Sequence, residues 1–454
     1  MKRKKKNKHS SADQEVPIDR ISDLPESIRN HIVSFLPMED AIRTSILSKP
    51  WRNVCATFTN LNFDQRVFVK MTGSKTGFID SVYRLIGCRD GSCVKFFRVV
   101  VDVDEETVSH IRAWIDFALR CNVKELLFSV VSGNLSIPCE MFSSRTLVSL
   151  CLSGVVLNVP MVVGFPMVKM LKLKKVVWSD DEQTNRLIGS CPLLETLIIA
   201  KCTWNSAKLL RISAPNLKTI LLAPASPDQE VKISSANLRE FRYLGNPPDI
   251  SSKSLSSLVW ASLYLFPFAD RTTKIAEKDV TLRVTKIFMG LRNVRRLLLE
   301  NFSVEVLSRD RDLLSKNISS FCYVKELSLT VFTTTNQLQF VASLVTICSN
   351  LFFLNITFKE HAEYEHVLDM EGYFQPQQWS ELGTLEYIYI REFNGSDNEL
   401  YLIQHLLANA KILKHLTVTC SKELSRDAQK NVTLDHKIQQ FVKVSPLQQY
   451  CMSK

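Results

Sequence analysis

The stretch Arg186-Leu187-Ile188-Gly189-Ser190-Cys191-Pro192-Leu193-Leu194-Glu195-Thr196-Leu197 carries the pattern on which the fold turns. Leu194, Leu197 and Ile199 follow a Cys-Pro turn in the spacing apolar-x-x-apolar-x-apolar. The alternation at its end is that of a strand with one buried face. The template recurs upstream as Val123/Leu126/Phe128, Leu147/Leu150/Leu152 and Val168/Leu171/Leu173. Downstream it returns as Leu217/Ile220/Leu222, Leu238/Phe241/Tyr243, Leu258/Ala261/Leu263 and Val294/Leu297/Leu299. It closes with Val324/Leu327/Leu329, Leu351/Leu354/Ile356, Leu385/Ile388/Ile390 and Leu413/Leu416/Val418. One match is common in any Leu-rich chain. A dozen, with starts 20 to 36 residues apart, is a repeat. A unit of that size cannot bury its own apolar side, so neighbours must stack. The fold class expected is an α/β solenoid, with strands on the inner face and helices or loops outside.

Those intervals lie at or above the 20–29 residues of leucine-rich repeats. Residues 186–197 resemble the plant leucine-rich repeats that accompany F-boxes. The Asn or Cys usual after the strand survives clearly only at Cys202, which predicts irregular turns and little of an asparagine ladder. The array is placed at 94–372. Its apolar template positions are core. Ligand reading is expected from the x positions, taken to point outward from the inner sheet. Lys169, Lys172, Glu195, Lys218, Arg239, Arg242, Arg295, Lys325 and Asn355 are the target-binding candidates. Several are basic, which favours an acidic target surface.

Nearer the N-terminus, residues 18–63 read as three short helices. Asp23 is set to cap a first helix, with Glu26 completing a capping-box pattern. Leu24, Ile28, Ile32 and Phe35/Leu36 follow at helical spacing, and Pro37 ends the run. A second helix fits Glu39 to Leu47. A third fits Lys49 to Phe58, where Ser48 caps and Trp51, Val54, Cys55 and Phe58 form a stripe. This is more apolar surface than a core of that size absorbs, which implies docking on the rest of the chain or on a partner.

The order Asp23-Leu24-Pro25, Ile32-Val33-Ser34-Phe35-Leu36-Pro37, Asp40-Ala41, Arg43-Thr44-Ser45 and Leu47-Ser48-Lys49 before Trp51-Arg52 resembles a plant-type F-box. The resemblance implies a Skp-type adaptor as partner and, through it, a cullin–RING ubiquitin ligase. Leu24, Pro25, Ile28, Ile32, Phe35, Leu36 and Trp51 are the adaptor-binding residues so implied. Pro50 stands where the family usually has a basic residue.

From about Gly372 the character changes. Residues 373–443 resemble the FBD region of many plant F-box/repeat proteins. Phe393-Asn394-Gly395, Glu399-Leu400 and Leu407-Ala408-Asn409-Ala410-Lys411-Ile412-Leu413-Lys414 carry the likeness. A turn is expected at Glu392–Ser396 and an amphipathic helix at Asn398–Ala410. The simplest role is an α/β cap over the open end of the array.

Composition bounds the rest. The chain has 454 residues, 45% hydrophobic and 23% charged, with a net charge of +11. Lys2, Arg3, Lys4, Lys5, Lys6 and Lys8 supply six of those charges, leaving +5 elsewhere. Residues 1–17 therefore read as a solvated basic tail and a nuclear-import candidate, and the expected location is nucleus, cytoplasm or both. The uncharged run Leu147–Val168 is long enough to span a bilayer, but its Gly and Pro residues make it strand, turn, strand. Twelve scattered cysteines read as buried small hydrophobes. Gly73-Ser74-Lys75-Thr76-Gly77 lacks the glycines of a phosphate loop and reads as a surface turn. No catalytic, metal or cofactor site is expected. The function implied is a non-catalytic substrate receptor of an SCF-type ubiquitin ligase. Two alternatives stand beside it: a scaffold that assembles no ligase, and a nucleic-acid-binding repeat protein.

Overall fold

The computed structural model describes residues 20–453 apart from 37–39, 41–43, 45–47, 52–57, 90, 92, 134, 179–180, 205–208, 224–229, 249, 251–254, 267–276, 311–312, 315–320, 360–380 and 444. The basic tail, nearly all of the second expected helix and residues 52–57 of the third lie outside the described residues.

Numbered in chain order, the strands of one continuous sheet begin with β1 (Asn60–Asp64), β2 (Phe96–Val101), β3 (Glu125–Val130) and β4 (Ser149–Ser153). They continue with β6 (Met170–Lys174), β8 (Thr196–Ala200), β11 (Thr219–Ala223), β13 (Glu240–Gly245) and β14 (Trp260–Leu265). The last six are β15 (Arg296–Leu299), β16 (Glu326–Val331), β17 (Phe353–Phe358), β18 (Tyr387–Phe393), β19 (His415–Cys420) and β20 (Gln449–Ser453). Each pairs in parallel with its neighbour, so equivalent positions align across the sheet: Cys151 with Lys172, Lys172 with Ile198, Arg242 with Ser262, Asn355 with Tyr389.

The register has a simple cause. In all twelve template units the three apolar positions are no more than 2% exposed, so a one-residue slip in any strand would turn its core residues outward. Each strand of this sheet from β1 to β19 buries its second and fourth residues against the outer layer and turns the first and third to the open face; in β20 Tyr450 and Met452 are half-buried.

Interval length decides what fills the outer layer. The longer intervals after Leu258, Val294, Val324 and Leu385 hold the helices Glu277–Gly290, Asn301–Ser308, Thr335–Ile347 and Asp397–Asn409. The 26-residue interval after Val168 holds the short helix Asp181–Gly189. Intervals of 20 to 23 residues hold short outer strands at most. Of these, β5 (Val156–Leu157) and β9 (Thr203–Trp204) form one sheet with β7 (Val177–Trp178) of the 26-residue interval, and β10 (Leu209–Ser213) and β12 (Glu230–Ser234) form another. Leu147–Val168 is thus β4, a turn and β5. No helix among the described residues is long and apolar enough to cross a membrane.

Several expectations need correction. The sheet starts earlier than residue 94, because β1 pairs with β2 and lies almost wholly within the 18–63 module. The section after Gly372 carries the sheet onward as β18–β20 in register, rather than lying over its end as a cap. The asparagine ladder is present at another place. Instead of following the strand, Asn216, Asn237, Asn293 and Asn350 stand immediately before the first apolar position of their units. Their Nδ2 groups donate to the carbonyls of Pro192, Pro215, Ser256 and Cys322 in the preceding unit, at 2.7–2.9 Å. Thr146 and Thr384 do the same through Oγ1. These bonds satisfy turn carbonyls that face no strand partner.

The eleven described cysteines are free. Burial pushes the thiols of Cys191 and Cys202 up to about 11, so both are un-ionised at neutral pH. Gly73-Ser74-Lys75-Thr76-Gly77 is the exposed link between the helices Gln65–Thr72 and Thr76–Gly87. Gly73 ends the first with φ 73°.

Candidate functional site: an apolar helix face and an open sheet

The first helix runs Glu26–Ser34. Its N-cap is Pro25, with extended backbone and no side-chain cap, so the expected Asp23–Glu26 capping box does not form. Its entry is held instead by Arg29, whose Nη1 donates to the Ser22 carbonyl at 2.9 Å. The Ser22 and Ser48 hydroxyls meet at 2.6 Å, so Ser48 spends its side chain tying two segments together. Only a 3-10 turn, Lys49–Trp51, is described of the third helix.

The helix has two unlike sides. Val33 is 1% exposed and faces the core. Ile28, Ile32, Phe35 and Leu36 are 45%, 40%, 74% and 38% exposed, one stripe at helical spacing. Phe35 is braced by an edge contact with His31 at 4.8 Å. Pro25 is exposed beside them and Leu24 is half-buried. Trp51 does not join this face. It is 3% exposed and belongs to the buried cluster that also holds Val33, Phe58, Leu61 and Phe63. Six of the seven implied adaptor residues therefore share a surface, and Trp51 supports it from within.

The nine target-binding candidates divide in two. Lys172, Arg242 and Asn355 lie within strands, aligned on the open face. Lys169, Glu195, Lys218, Arg239, Arg295 and Lys325 each precede the first residue of a strand and form a rim along the sheet's edge. The correction has a backbone cause: their N–H groups and those of the next residues donate to the same carbonyl of the preceding unit. Lys169 and Met170 both reach Val148 O, and Lys325 and Glu326 both reach Arg295 O. That shared acceptor breaks the alternation just ahead of the strand.

Part of the rim neutralises itself. Glu195 lies 3.7 Å from Lys169 and 2.8 Å from Lys218, and these hydrogen bonds and charges hold its carboxyl below the usual range. Lys414 pairs with Glu386 at 2.6 Å. Arg242 stacks on Trp260 at 3.8 Å, which fixes its guanidinium over the face.

Reasoning from sequence missed the aromatic part of the open face. Phe352 contacts Tyr387 at 5.1 Å, Phe353 contacts Tyr389 at 5.2 Å, and Tyr387 stacks on His415 at 5.0 Å. The signal was available: the x positions of the units starting at Leu351 and Leu385 hold Phe352, Phe353, Tyr387 and Tyr389, whereas the earlier units hold a single aromatic residue there, Trp260. Beside them Asn355 Oδ1 is buried with no hydrogen-bond partner among the described residues. Elsewhere, a groove of about 550 Å³ lies between helix Asp181–Gly189 and β10, lined by Glu182, Asn185, Arg186, Leu209 and Arg211. Arg186 is engaged there with the Val159 carbonyl at 2.9 Å.

Residues 21–62 match the F-box domain family, and residues 88–445 match the family described as the At1g61320/AtMIF1 LRR domain. Among Arabidopsis thaliana proteins, the FBD-associated F-box protein At1g66310 is 26% identical over 430 residues, covering 91% of this chain and 92% of its own length. F-box/LRR-repeat protein 13 of the same plant is 25% identical over 446 residues, covering 93% and 94%. F-box/LRR-repeat protein At4g14096, also from Arabidopsis thaliana, is 30% identical over 306 residues, covering 65% and 64%. An apolar helix face at one end, an in-register repeat sheet behind it, and matches that cover both parts place this chain in the plant F-box/leucine-rich-repeat family.

Proposed function

We propose that this chain is the non-catalytic substrate-recognition subunit of an SCF-type ubiquitin ligase. The helix Glu26–Ser34 docks a Skp-type adaptor, and the open sheet face holds a protein target. Family membership supports the class, since F-box proteins with such repeats generally serve as SCF substrate receptors. The observation that carries the reading is the exposed stripe Ile28, Ile32, Phe35 and Leu36, in a chain whose repeat-template side chains are buried. Apolar side chains set in a row on a helix mark an interaction surface. Each contributes at most about 1.5–3 kcal/mol on full burial, before ordering and association costs. The receptor's part in ubiquitin transfer is proximity: it raises the local concentration of target lysines near a charged conjugating enzyme.

Co-purification with a Skp-type adaptor tests this. Ile32→Asp plus Phe35→Asp places two charges in the stripe without touching the core, so the melting temperature should hold while adaptor recovery falls at least tenfold. Equal recovery with the wild type and the variant would remove the receptor reading and leave the scaffold.

A further inference from the structure

The open face is not uniform, and its two halves differ in a way that specifies a ligand. Across β13–β19 the register brings an aromatic shelf and a basic block side by side. The shelf is Phe352, Phe353, Tyr387 and Tyr389, with His415 stacked at its end. The block is Arg239, Arg242, Arg295 and Lys325, on the rim and face of the preceding strands. On the first and third strand positions and the rim here, Arg296 is spent on Glu326 at 2.9 Å and Lys414 on Glu386 at 2.6 Å. Four cations then face a single further acid, Glu240.

Resting on the receptor reading, we infer that the target engages this half of the sheet with an extended acidic segment followed by aromatic side chains. Six inter-strand spacings of about 4.8 Å make roughly 29 Å, which about nine extended residues span. Carboxylates at one end of such a segment would meet Arg239, Arg295 and Lys325. Apolar rings at the other would cover the half-exposed Phe352 and its neighbours. Arg242, held over Trp260, needs little ordering to pair with a carboxylate, which lowers the cost of binding.

Single-stranded nucleic acid also uses cations and rings, but its bases need free ring faces interleaved with the cations. Here cations and rings are segregated, and Tyr387 already gives one face to His415 with planes 9° apart.

The test uses the full chain and a fluorescein-labelled nonapeptide with five Glu residues followed by Ala-Phe-Trp-Phe, followed by anisotropy. Comparison probes replace Glu by Lys, replace the aromatic residues by Ser, or are a nine-nucleotide oligo(dT). The acidic-aromatic peptide should bind at least tenfold tighter than each of these, and more weakly as salt rises. Arg295→Glu plus Lys325→Glu should weaken it tenfold or more, as should Phe352→Ala plus Tyr389→Ala. Lys174→Glu, on the same face in β6, should change it less than twofold. Equal binding of Glu and Lys peptides, tighter binding of oligo(dT), no measurable binding, or an equal loss with Lys174→Glu overturns the inference. Adaptor co-purification is scored separately. If the adaptor is retained and the peptide fails, only this inference falls; if the adaptor is lost from the wild type, the receptor reading falls first.

Discussion

Glu399 shows how much one side chain can organise. It is 1% exposed, and its Oε2 accepts the N–H groups of Asn394, Gly395 and Ser396 at 3.1, 2.7 and 3.0 Å. The Ser396 hydroxyl accepts Glu399 N–H in return, completing a capping box on helix Asp397–Asn409. Burial pushes the Glu399 carboxyl above its ordinary value, against the pull of those donors. The folded protein therefore holds that proton more tightly than the unfolded chain. The resulting stabilisation is full below the unfolded value near 4.5 and is lost as pH rises through the folded value. Glu399→Gln keeps an acceptor without the charge, so its stability should gain on the wild type as pH is raised from 4 to 8. Glu399→Ala strands three N–H groups and should cost about 3 kcal/mol or more at any pH. Urea unfolding across that range checks both, and a pH-independent gap between Gln and wild type would contradict the assignment. The turn at Glu392–Ser396 and the helix after it were legible in the sequence, but the Ser396-x-x-Glu399 box went unread; that the acid would also gather the turn's amides depended on a fold of residues 392–396. Trp51 was misplaced for a related reason: a stripe says which side chains share a side, not which way that side faces.

At the scale of the element, the strands were the most legible feature. Alternation is enforced by burial, and burial leaves its record in residue type. The template runs further than the twelve units read from it. Phe58/Leu61/Phe63, Val94/Phe97/Val99 and Leu447/Tyr450/Met452 have the same spacing and form β1, β2 and β20. What no pattern announced was the ladder ahead of six of the strands, because a hydrogen bond to a neighbouring unit's carbonyl depends on how units stack. Asn350 reports it well: it is exposed, and its Nδ2 meets Cys322 O at 2.7 Å. Asn350→Ala should cost about 1 kcal/mol, the net worth of one such bond. Asn350→Asp puts a carboxylate oxygen against that carbonyl and should cost more at pH 7 than at pH 3. Equal losses for Ala and Asp at pH 7, by thermal melting, would argue that the ladder bond contributes nothing.

For the whole molecule, the question is whether the F-box is a separable module, as its sequence boundary at 63 suggests. The packing argues otherwise. β1 lies at the end of the sheet with β2 as its strand neighbour, and Trp51, Phe58, Leu61 and Phe63 join a core cluster continuous with the array. A polar joint locks the same place. Asp64 accepts from Arg66 at 2.9 Å and from Arg98 of β2 at 3.1 Å, and Arg98 donates to Asn62 at 2.6 Å. Burial raises the Asp64 carboxyl, but the hydrogen bonds and charges of Arg66 and Arg98 outweigh it and hold it below the usual range. Gln65, 1% exposed, accepts the Asp102 N–H at 2.7 Å. The receptor role proposed above would draw on such a joint, which would hold adaptor and target at a fixed separation. The motif signals gave each part its own identity but said nothing of this joint, which arises between residues 34 to 37 positions apart. A fragment of residues 18–63 loses β2 and every array residue of the shared core, and about 45 residues cannot replace them. Trp51 is the sole tryptophan in that fragment, so its fluorescence reports directly. The fragment alone should emit like a solvent-exposed indole and show no thermal transition, whereas in the full chain Trp51 should be protected from an aqueous quencher. A blue-shifted emission with a cooperative melt in the isolated fragment would mean the module closes its own core, and the rigid link to the target face would then have to come from elsewhere.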